Sequence, residues 1–529
     1  MESIVRIALT LGYSEMPLAR CLSKFSPTEL ENVADFLTEG CLLPSKELSL
    51  LPHQRKIMLA LLRGQRGVIA AYPMGSGKTI TAIAASECLK RQAKFLGVAV
   101  NIYVIVPTSL IGNYKSELEK AGYEWDPEDI ITTKTKFFRA IKAGTITSLK
   151  NYIVIYDEAH TLRTDYRCEF CGDLAMILKG PQPGTMAELS LQVISTAWKV
   201  IGLTGTPIYN QPYDWVNLHA LATGKPPITA EEYSELRFSD ASILQDTFSF
   251  YDLPRDDFPR RTDVYHLIEM TPAYFNAYRA LAEKYSKKRK RSKKNSQGEE
   301  EPGNAFMVRL RTAMNKVIDA RGHKILSPKI AVALDIIFKA KRNVVIFSEF
   351  IYEGLDVIRK SLSAKGVRWN EIKGSVAAKK RDLIIRDYNA KRINVLIITK
   401  AGGEGLNLME TSDIILLESG WTSSMEEQVI ARGIRKGSHR KLSESEREVK
   451  VHHLLLIYPN SENIAIKYLG LAKSKLGYSP LNPIHQKSGG KSVNPAKLGP
   501  DVYLKWYART KANANLEEEK MLREYQLKD

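Results

Sequence analysis

The sequence is poor in the features that mark membrane-spanning and disulfide-stapled proteins. No run approaches the roughly 20 uncharged apolar residues that a transmembrane helix needs. Five cysteines in 529 residues are too few for a disulfide framework. The opening residues have an acid at position 2 and polar interruptions, so they lack the form of a cleavable signal peptide. We expect a protein that is made and kept inside the cell.

Metal-binding motifs are also scarce. Cys168 and Cys171 form a CxxC, but a zinc site needs two further ligands, and Cys21, Cys41 and Cys88 supply no second close pair. We therefore interpret this short motif as a turn with two unrelated thiols rather than as a zinc site.

Acidic residues are outnumbered by basic ones. The chain has 77 lysines and arginines against 59 aspartates and glutamates, a formal charge of +18. An excess of this size favours a polyanionic partner, with nucleic acid as the first candidate. Much of it lies in the run KKRKRSKK at 287–294. Three interpretations of this run stay open: a nuclear import signal, an electrostatic tether to DNA, or a solvated disordered loop.

Length and hydrophobic pattern together predict several domains. β-branched apolar runs alternate with helical stretches over 46–228 and again over 326–485, which is typical of parallel sheets covered by helices on both faces. We therefore predict an α/β protein with two lobes. Between them, 229–325 is expected to be a helical, partly disordered linker insertion, and 486–529 a flexible linker followed by a terminal helix.

The N-terminal part, 1–45, shows three short helical patterns separated by GYSE and SPT, and it predicts a small three-helix unit. Residues 11–14, LGYS, lie where ubiquitin-associated domains have a Met-Gly-Phe loop. The unit resembles that family, which would imply ubiquitin as a partner. A helical cap on the next domain is the alternative.

The first chemical signal is MGSGKT at 74–79, between the strand RGVIAAY and a helical stretch. A glycine-rich turn that enters a helix directs backbone N–H groups and the positive end of the helix dipole at one point, and so binds a triphosphate. Lys78 should reach the β- and γ-phosphates, and Thr79 should ligate Mg²⁺. Tyr72 replaces the usual first glycine of the consensus. The residues assigned to ATP here are Gly75, Ser76, Gly77, Lys78 and Thr79.

The second signal is DEAH at 157–160, at the end of the strand YIVIY. Phosphoryl transfer requires a carboxylate that holds the metal and a group that orients or deprotonates the attacking water. We assign Asp157 to Mg²⁺ and Glu158 to the water. Alone, the tetrapeptide could be an acidic first turn of a helix, but its distance from MGSGKT argues against this.

With these two motifs the sequence resembles superfamily 2 helicase-like ATPases, which implies that the two lobes are RecA-like. Gln54 stands where that family has a glutamine that reads adenine. The segment 203–210, LTGTPIYN, resembles motif III, which couples the lobes through Thr204, Gly205 and Thr206. Further segments resemble motif Ia at 105–118, motif IV at 344–350, motif V at 399–408 and motif VI at 419–439.

Motif VI contains Gln428, Arg432 and Arg435 in the spacing QxxxRxxR. On a continuous helix these three side chains would share one face. The resemblance implies that both arginines face the first lobe and neutralise charge on the γ-phosphate in the transition state, when the lobes close.

The form of motif V resembles SWI/SNF-type translocases. The ending RGIRKGSH resembles the ATPases of large DNA viruses, namely nucleoside triphosphate phosphohydrolase I and the small subunit of the viral early transcription factor. The resemblance implies nucleic-acid phosphate contacts from backbone amides and hydroxyls. The residues implicated are Thr108, Thr204, Lys400, Gly402 and Gly403 for nucleic acid, Gln428 for coupling, and Gly405 for nucleotide.

We therefore expect an ATP- and Mg²⁺-dependent ATPase that translocates on DNA in viral early transcription. A strand-separating helicase and a nucleotide-switched DNA-binding assembly factor of a virion are the alternatives. Expected partners are single-stranded or duplex DNA, and a viral RNA polymerase or second transcription-factor subunit. We expect no membrane partner, and a location in the cytoplasm or nucleus of an infected cell or in the virion.

Overall fold

The structure is a computed structural model. It describes residues 49–73, 75–95, 98–124, 126–162, 184–209, 212–229, 232–233, 242–254, 256–295, 309–399, 406–420, 422–481 and 499–527. The expected three-helix unit, the CxxC, and Lys400, Gly402, Gly403 and Gly405 lie outside these residues. The chain forms two compact units, 1–254 with 513–529 and 255–512.

The first unit is built on a six-stranded sheet. In chain order its elements are α1 (Pro52–Leu62), β1 (Gly67–Ala71), α2 (Lys78–Phe95), β2 (Asn101–Val106), α3 (Ile111–Lys120), β3 (Ile130–Thr133), α4 (Lys134–Lys142), β4 (Tyr152–Tyr156), α5 (Met186–Ile194), β5 (Lys199–Thr204), α6 (Trp215–Thr223) and β6 (Phe248–Phe250). The strand order is β3-β2-β4-β5-β1-β6, and every neighbouring pair is parallel.

Both faces of this sheet are covered. Successive residues of β4 alternate between two apolar clusters: Ile153 and Ile155 pack with α1 and α2, and Val154 and Tyr156 pack on the opposite side. A strand that is buried on both faces needs apolar residues at nearly every position, which is why these strands are continuous apolar runs.

The second unit has an eight-stranded sheet. Its elements are β7 (Arg260–Glu269), α7 (Pro272–Asn295), β8 (Lys316–Ile318), β9 (Lys324–Leu326), α8 (Pro328–Lys339), β10 (Asn343–Ser348), α9 (Leu355–Ala364), β11 (Trp369–Ile372), α10 (Ala378–Asn389), β12 (Val395–Thr399), β13 (Thr411–Leu416), α11 (Ser423–Gly433), β14 (Glu448–Ile457), α12 (Glu462–Leu469), β15 (Leu471–Ser474), β16 (Gly477–Pro480) and α13 (Pro500–Glu524).

The order in this sheet is β11-β12-β10-β13-β14-β7-β16-β15. Pairing is parallel from β11 to β7, and the hairpin of β15 and β16 adds antiparallel strands at one edge. The predicted α/β fold with two parallel-sheet lobes is confirmed.

The segment 229–325 differs from the expected helical insertion. β6 extends the sheet of the first unit, and β7 pairs with β14 over ten residues in the second. The chain thus passes between the units at about residue 254. The backbone of the basic run 287–294 is helical and belongs to α7, so it is not the loop that one interpretation required.

The terminal helix α13 begins in the second unit, and its residues from Asn513 onward belong to the first. In the first unit, the buried Glu518 accepts hydrogen bonds from Trp215 Nε1 and Tyr233 Oη, each at 2.9 Å. No helix in the part of the chain that the structure describes is long and apolar enough to cross a membrane.

Candidate active site

The turn that is predicted to bind phosphates, called the phosphate-binding turn below, follows β1 of the first unit and leads into α2. Gly75 and Gly77 have φ values of +85° and +82°, in the left-handed region that only glycine adopts without strain. A Cβ on Gly75 would meet nothing within 4 Å, whereas a Cβ on Gly77 would lie 2.3 Å from Gln54 Nε2. The turn is therefore open on one side and closely supported on the other.

Lys78 is the first residue of α2, and its side chain turns back over the turn. Its Nζ donates to the carbonyl oxygen of Tyr72 at 2.8 Å. A Cβ on Gly205 would lie 3.5 Å from the same Nζ. The lysine and the TGT turn therefore come together, because β1 and β5 are neighbours and end at the same edge of the sheet.

Asp157 and Glu158 follow β4 at this edge. Asp157 is 8% exposed, and its Oδ1 accepts from the Glu158 backbone N–H at 2.8 Å. Burial, and next the carboxylate of Glu158, raise the pKa of Asp157 to about 6. Glu158 itself has φ +48°, which costs a non-glycine residue of the order of 1–3 kcal/mol. A bound cation would relieve the unfavourable charge that accumulates here.

His160 connects the acidic pair with the TGT turn. Its Nδ1 lies 3.2 Å from Glu158 Oε2 and 3.2 Å from Thr204 Oγ1, and its ring stacks on Tyr209 at 4.9 Å between centroids. Thr204 Oγ1 also accepts from the Thr206 backbone N–H at 3.1 Å. Sequence reasoning gave His160 no role, although the DEAH motif placed it beside the two acids.

Lys134 is a second residue that sequence reasoning missed. Its Nζ donates to the Glu158 carbonyl oxygen at 2.9 Å and to Thr161 Oγ1 at 2.6 Å. The lysine begins α4, directly after β3, so its place after a strand was the one available signal. It supports the backbone of the acidic turn.

Gln54 supports the phosphate-binding turn through hydrogen bonds to its backbone. Its Nε2 donates to the Ser76 carbonyl oxygen at 3.2 Å, and its Oε1 accepts from the Leu51 backbone N–H at 2.9 Å. Both ends of the carboxamide thus contact protein, and a role in reading adenine would be added to this support. Ser76 also donates through its Oγ to the Pro73 carbonyl oxygen at 2.7 Å.

The tyrosine that replaces the first glycine of the consensus is fully buried. Tyr72 Oη donates to the His53 carbonyl oxygen at 2.6 Å and lies 2.9 Å from Ser249 Oγ. The ring of His53 stacks in parallel on Tyr251 at 3.5 Å. A side chain is tolerated at position 72 because it points into the unit instead of toward the phosphates.

Three further predicted functional residues are threonines of the first unit. Thr79 is the second residue of α2, half-buried, and Thr108 is exposed at the start of a 3-10 turn, Thr108–Leu110. The hydroxyl of Thr206 is buried with no hydrogen-bond partner among the described residues. An unsatisfied buried hydroxyl next to Gly205, whose Cβ position lies 3.5 Å from Lys78 Nζ, fits a site that a ligand completes.

In the second unit, α11 carries Gln428, half-buried, and Arg432, 5% exposed. The expectation that Arg435 shares their helical face is wrong. The helix ends at Gly433, and Ile434 leaves it with ψ 87°. Arg435 Nε instead donates back to the Ala431 carbonyl oxygen at 3.1 Å, and burial lowers the pKa of its guanidinium.

The described residues fit a nucleotide and a divalent cation in the first unit. A cation of the Mg²⁺ type takes carboxylate and hydroxyl oxygens, which Asp157 and Thr79 possess. Phosphates take backbone N–H groups and an ammonium, which the turn after β1 and Lys78 possess. The arrangement can bind a triphosphate and place a carboxylate, Glu158, beside it.

Family comparisons agree with this geometry. Residues 53–124 match the SNF2-related domain, and residues 328–437 match the helicase conserved C-terminal domain. The first segment holds the phosphate-binding turn, and the second holds Gln428, Arg432 and Arg435.

Curated relatives include several viral proteins. The putative ATP-dependent RNA helicase L538 of Acanthamoeba polyphaga mimivirus is 27% identical over 77% of this chain and 89% of its own length. A termination factor NPH-I homolog of African swine fever virus is 23% identical over 78% of this chain and 70% of its own. Nucleoside triphosphatase I of Choristoneura fumiferana entomopoxvirus is 22% identical over 79% and 74%. The chain thus contains an SNF2-related segment in its first unit and a helicase C-terminal segment in its second, and over most of its length it is similar to viral proteins named as helicase and nucleoside triphosphatase.

Proposed function

We propose that the protein hydrolyses ATP with Mg²⁺ in its first unit and uses the cycle to translocate on DNA. The convergence of Lys78, Asp157 and the TGT turn at the carboxyl ends of β1, β4 and β5 carries this proposal. Three separate segments supply these groups, and each supplies one that phosphoryl transfer requires.

The chain's own residues divide the work at this site. On binding, the Lys78 ammonium exchanges the Tyr72 carbonyl for the β- and γ-phosphates, and the backbone N–H groups of Gly75 to Gly77 bind the remaining phosphate oxygens. Glu158 orients the attacking water and accepts its proton. Mg²⁺, held by Thr79 and by Asp157 through water, would supply charge neutralisation on the phosphates.

His160 and Thr204 connect this chemistry to the rest of the unit. His160 lies within hydrogen-bond distance of both the Glu158 carboxylate and Thr204. If a change at the γ-phosphate moves Glu158, His160 would therefore shift with it and displace Thr204 of the TGT turn. We assign Thr204, Gly205 and Thr206 to coupling on this basis.

We assign Arg432 and Arg435 to the transition state. Guanidinium groups neutralise charge that develops on the transferred phosphoryl group, and this typically contributes a factor of the order of 10³ or more to the rate. In this proposal the two arginines act only in the closed state of the cycle, so hydrolysis and movement are coupled. Gln428 belongs to the same coupling group, and Gly405 to nucleotide binding.

Nucleic acid is the polymer on which we propose that the protein translocates. The formal charge of +18 favours a polyanion. The exposed Thr108, with Lys400, Gly402 and Gly403, would contact phosphates without reading sequence. The relatives named as termination factor and nucleoside triphosphatase I support a place in viral transcription, in an infected cell or its virion, with an RNA polymerase or a second factor subunit as partner.

Translocation and strand separation are distinguished by two assays. Displacement of a third strand from a triplex, dependent on ATP and absent in Lys78→Ala, is the expected result for a translocase. Unwinding of a forked duplex would show instead that the protein is a strand-separating helicase. The name of the mimivirus relative favours this activity as the second candidate.

A nucleotide-switched binding protein is the alternative of another class. Glu158→Gln should keep ATP binding and lose hydrolysis by roughly 10²–10⁴-fold if Glu158 acts on water. Unchanged hydrolysis in this variant would remove Glu158 from the proposed mechanism, and no hydrolysis in the wild type would favour the switch.

A further inference from the structure

A buried ionic cluster in the second unit joins the terminal helix α13 to the motif VI helix α11. Lys505 of α13, Glu426 of α11 and His453 of β14 are each at most 4% exposed. Lys505 Nζ donates to the Glu426 carboxylate and lies 2.9 Å from His453 Nδ1. Burial opposes both charges, yet their mutual attraction raises the pKa of Lys505 and lowers that of Glu426, so the pair is ionised.

The position of Lys505 fixes the protonation of His453. An ammonium can only donate, so His453 Nδ1 accepts and the proton of the neutral ring lies on Nε2. His453 Nε2 then donates to Asp263 Oδ1 at 2.7 Å. Along this series of hydrogen-bonded side chains every donor faces an acceptor, which is what a buried polar network needs to hold one geometry.

The same network continues to the next residue of α11. Arg261 of β7 is bidentate to Asp263, at 2.7 and 2.9 Å, and bidentate to Glu427, at 2.6 and 2.9 Å. Glu426 and Glu427 are therefore held by two different cations. Their side chains point about 100° apart around the helix axis, so the two contacts together oppose a rotation of α11, with the buried Glu426 contact as the stronger of the two.

Rotation of α11 matters because this helix carries Gln428 and Arg432. Glu426 also accepts from the Gly420 backbone N–H at 3.1 Å, which ties down the segment that leads into the helix. A buried ion pair is a poor source of stability, since the desolvation of both charges offsets most of their attraction. Its directional contacts do, however, select one orientation of the helix.

We propose that Lys505 is a positioning residue for hydrolysis: through Glu426 it holds α11 in the orientation that presents Arg432 to the γ-phosphate. The terminal helix is then a part of the ATPase machinery. This inference rests on the proposed role of Arg432 in the transition state.

The test compares Lys505→Met with Lys520→Met in the full-length protein. Lys520 is an exposed lysine of the same helix and serves as the matched control. We expect Lys505→Met to lower kcat by about ten-fold or more while KM for ATP changes by less than about two-fold, because the lost interaction acts only in the transition state. Binding of ADP with aluminium fluoride, a transition-state analogue, should weaken by a similar factor, and binding of ADP alone should not.

A second variant removes the effect of an unpaired buried carboxylate on folding. Lys505→Met combined with Glu426→Gln leaves no buried charge in the pair, so its thermal midpoint should return close to that of the wild type. We expect its kcat to stay low. Wild-type kcat and wild-type affinity for the analogue in this folded double variant would overturn the positioning role.

The outcomes also separate this inference from the proposed function. Turnover that is lost in Lys78→Ala but normal in folded Lys505→Met would contradict the role of Lys505 and leave the ATPase mechanism intact. A weaker affinity for ADP, a higher KM for ATP and a lower kcat, all by similar factors in Lys505→Met, would show that Lys505 is merely structural. This result would also contradict the positioning role. A wild type without turnover would overturn both.

Discussion

At the scale of single residues, the phosphate-binding turn depends on backbone geometry. Gly75 and Gly77 both have left-handed φ values, but their surroundings differ: one faces open space and the other faces Gln54. The contact between Gly77 and Gln54 holds the turn in shape before any ligand arrives. This difference allows the cost of backbone strain to be separated from the cost of a collision.

We expect Gly77→Ala to lower the thermal midpoint more than Gly75→Ala. Both variants force alanine into the left-handed region, at a cost of about 1 kcal/mol, and only Gly77→Ala also pushes against Gln54 Nε2. Adding Gln54→Ala should recover part of the loss in Gly77→Ala and nothing in Gly75→Ala. Equal midpoints for the two single variants would show that Gln54 gives way freely.

Lys199, at the start of β5, provides a test of pH dependence. The side chain is 1% exposed, and its Nζ donates to the carbonyl oxygens of Leu61 and Gln65 with no carboxylate among these acceptors. Burial, and next the charge of Arg66, lower its pKa from 10.5 to about 7. The unfolded chain then binds more protons than the folded one between about pH 7 and 10.5, so this group makes stability rise with pH across that window.

Lys199→Met should remove this rise. Relative to the variant, the wild type should gain stability of the order of a few kcal/mol between pH 7 and 10, measured by thermal or denaturant unfolding. Lys150→Met, at an exposed lysine, is the control and should leave the slope unchanged. Identical slopes in wild type and Lys199→Met would mean that the buried ammonium keeps its ordinary pKa.

At the scale of elements, α13 is fixed by buried polar contacts in both units. In the first unit, Glu518 satisfies the donors of Trp215 and Tyr233 together. Removing the carboxylate leaves two buried donors without that acceptor, at a cost of roughly 1–3 kcal/mol each. We expect Glu518→Ala to lower the thermal midpoint by several degrees, whereas Glu517→Ala, at an exposed position, should not. A midpoint equal to the control would show that this end of α13 contributes little stability.

Sequence reasoning succeeded for elements whose signal is local. MGSGKT and DEAH each follow a short, continuous apolar run, and such runs form the inner strands of a parallel sheet, so the place of both motifs could be inferred. The fold class followed from the same runs. Contacts between distant segments gave no such signal, and the support that Lys134 and His53 give to the two motifs was missed for this reason.

Two elements were misjudged, one because of a long-range strand pairing and one because of a helix cap. β7 contains charged and polar residues at more than half of its positions, and its ten-residue pairing with β14 overrides that pattern. The repeat QxxxRxxR suggested one helical face, but Gly433 ends α11 and Arg435 caps its last turn. Helix ends are set by such caps rather than by the spacing of functional residues.

At the scale of the whole molecule, the basic surplus should govern binding to nucleic acid. The run 287–294 places seven cations on consecutive turns at the end of α7. If they contact phosphates, replacing them with glutamine should flatten the slope of log K against log salt by up to about 6, since each released counterion contributes roughly 0.9. Filter binding between 50 and 200 mM salt would measure this slope. An unchanged slope would assign the run to another role, such as nuclear import.

ATP hydrolysis by the purified protein, measured alone and with single-stranded DNA, duplex DNA or RNA, tests the proposed DNA-dependent ATPase activity. We expect Mg²⁺-dependent turnover that duplex DNA stimulates strongly and that Lys78→Ala abolishes. Stimulation by single strands alone would replace duplex translocation with a termination-type ATPase or a helicase. No turnover above the Lys78→Ala blank under any condition would contradict the proposed ATPase activity.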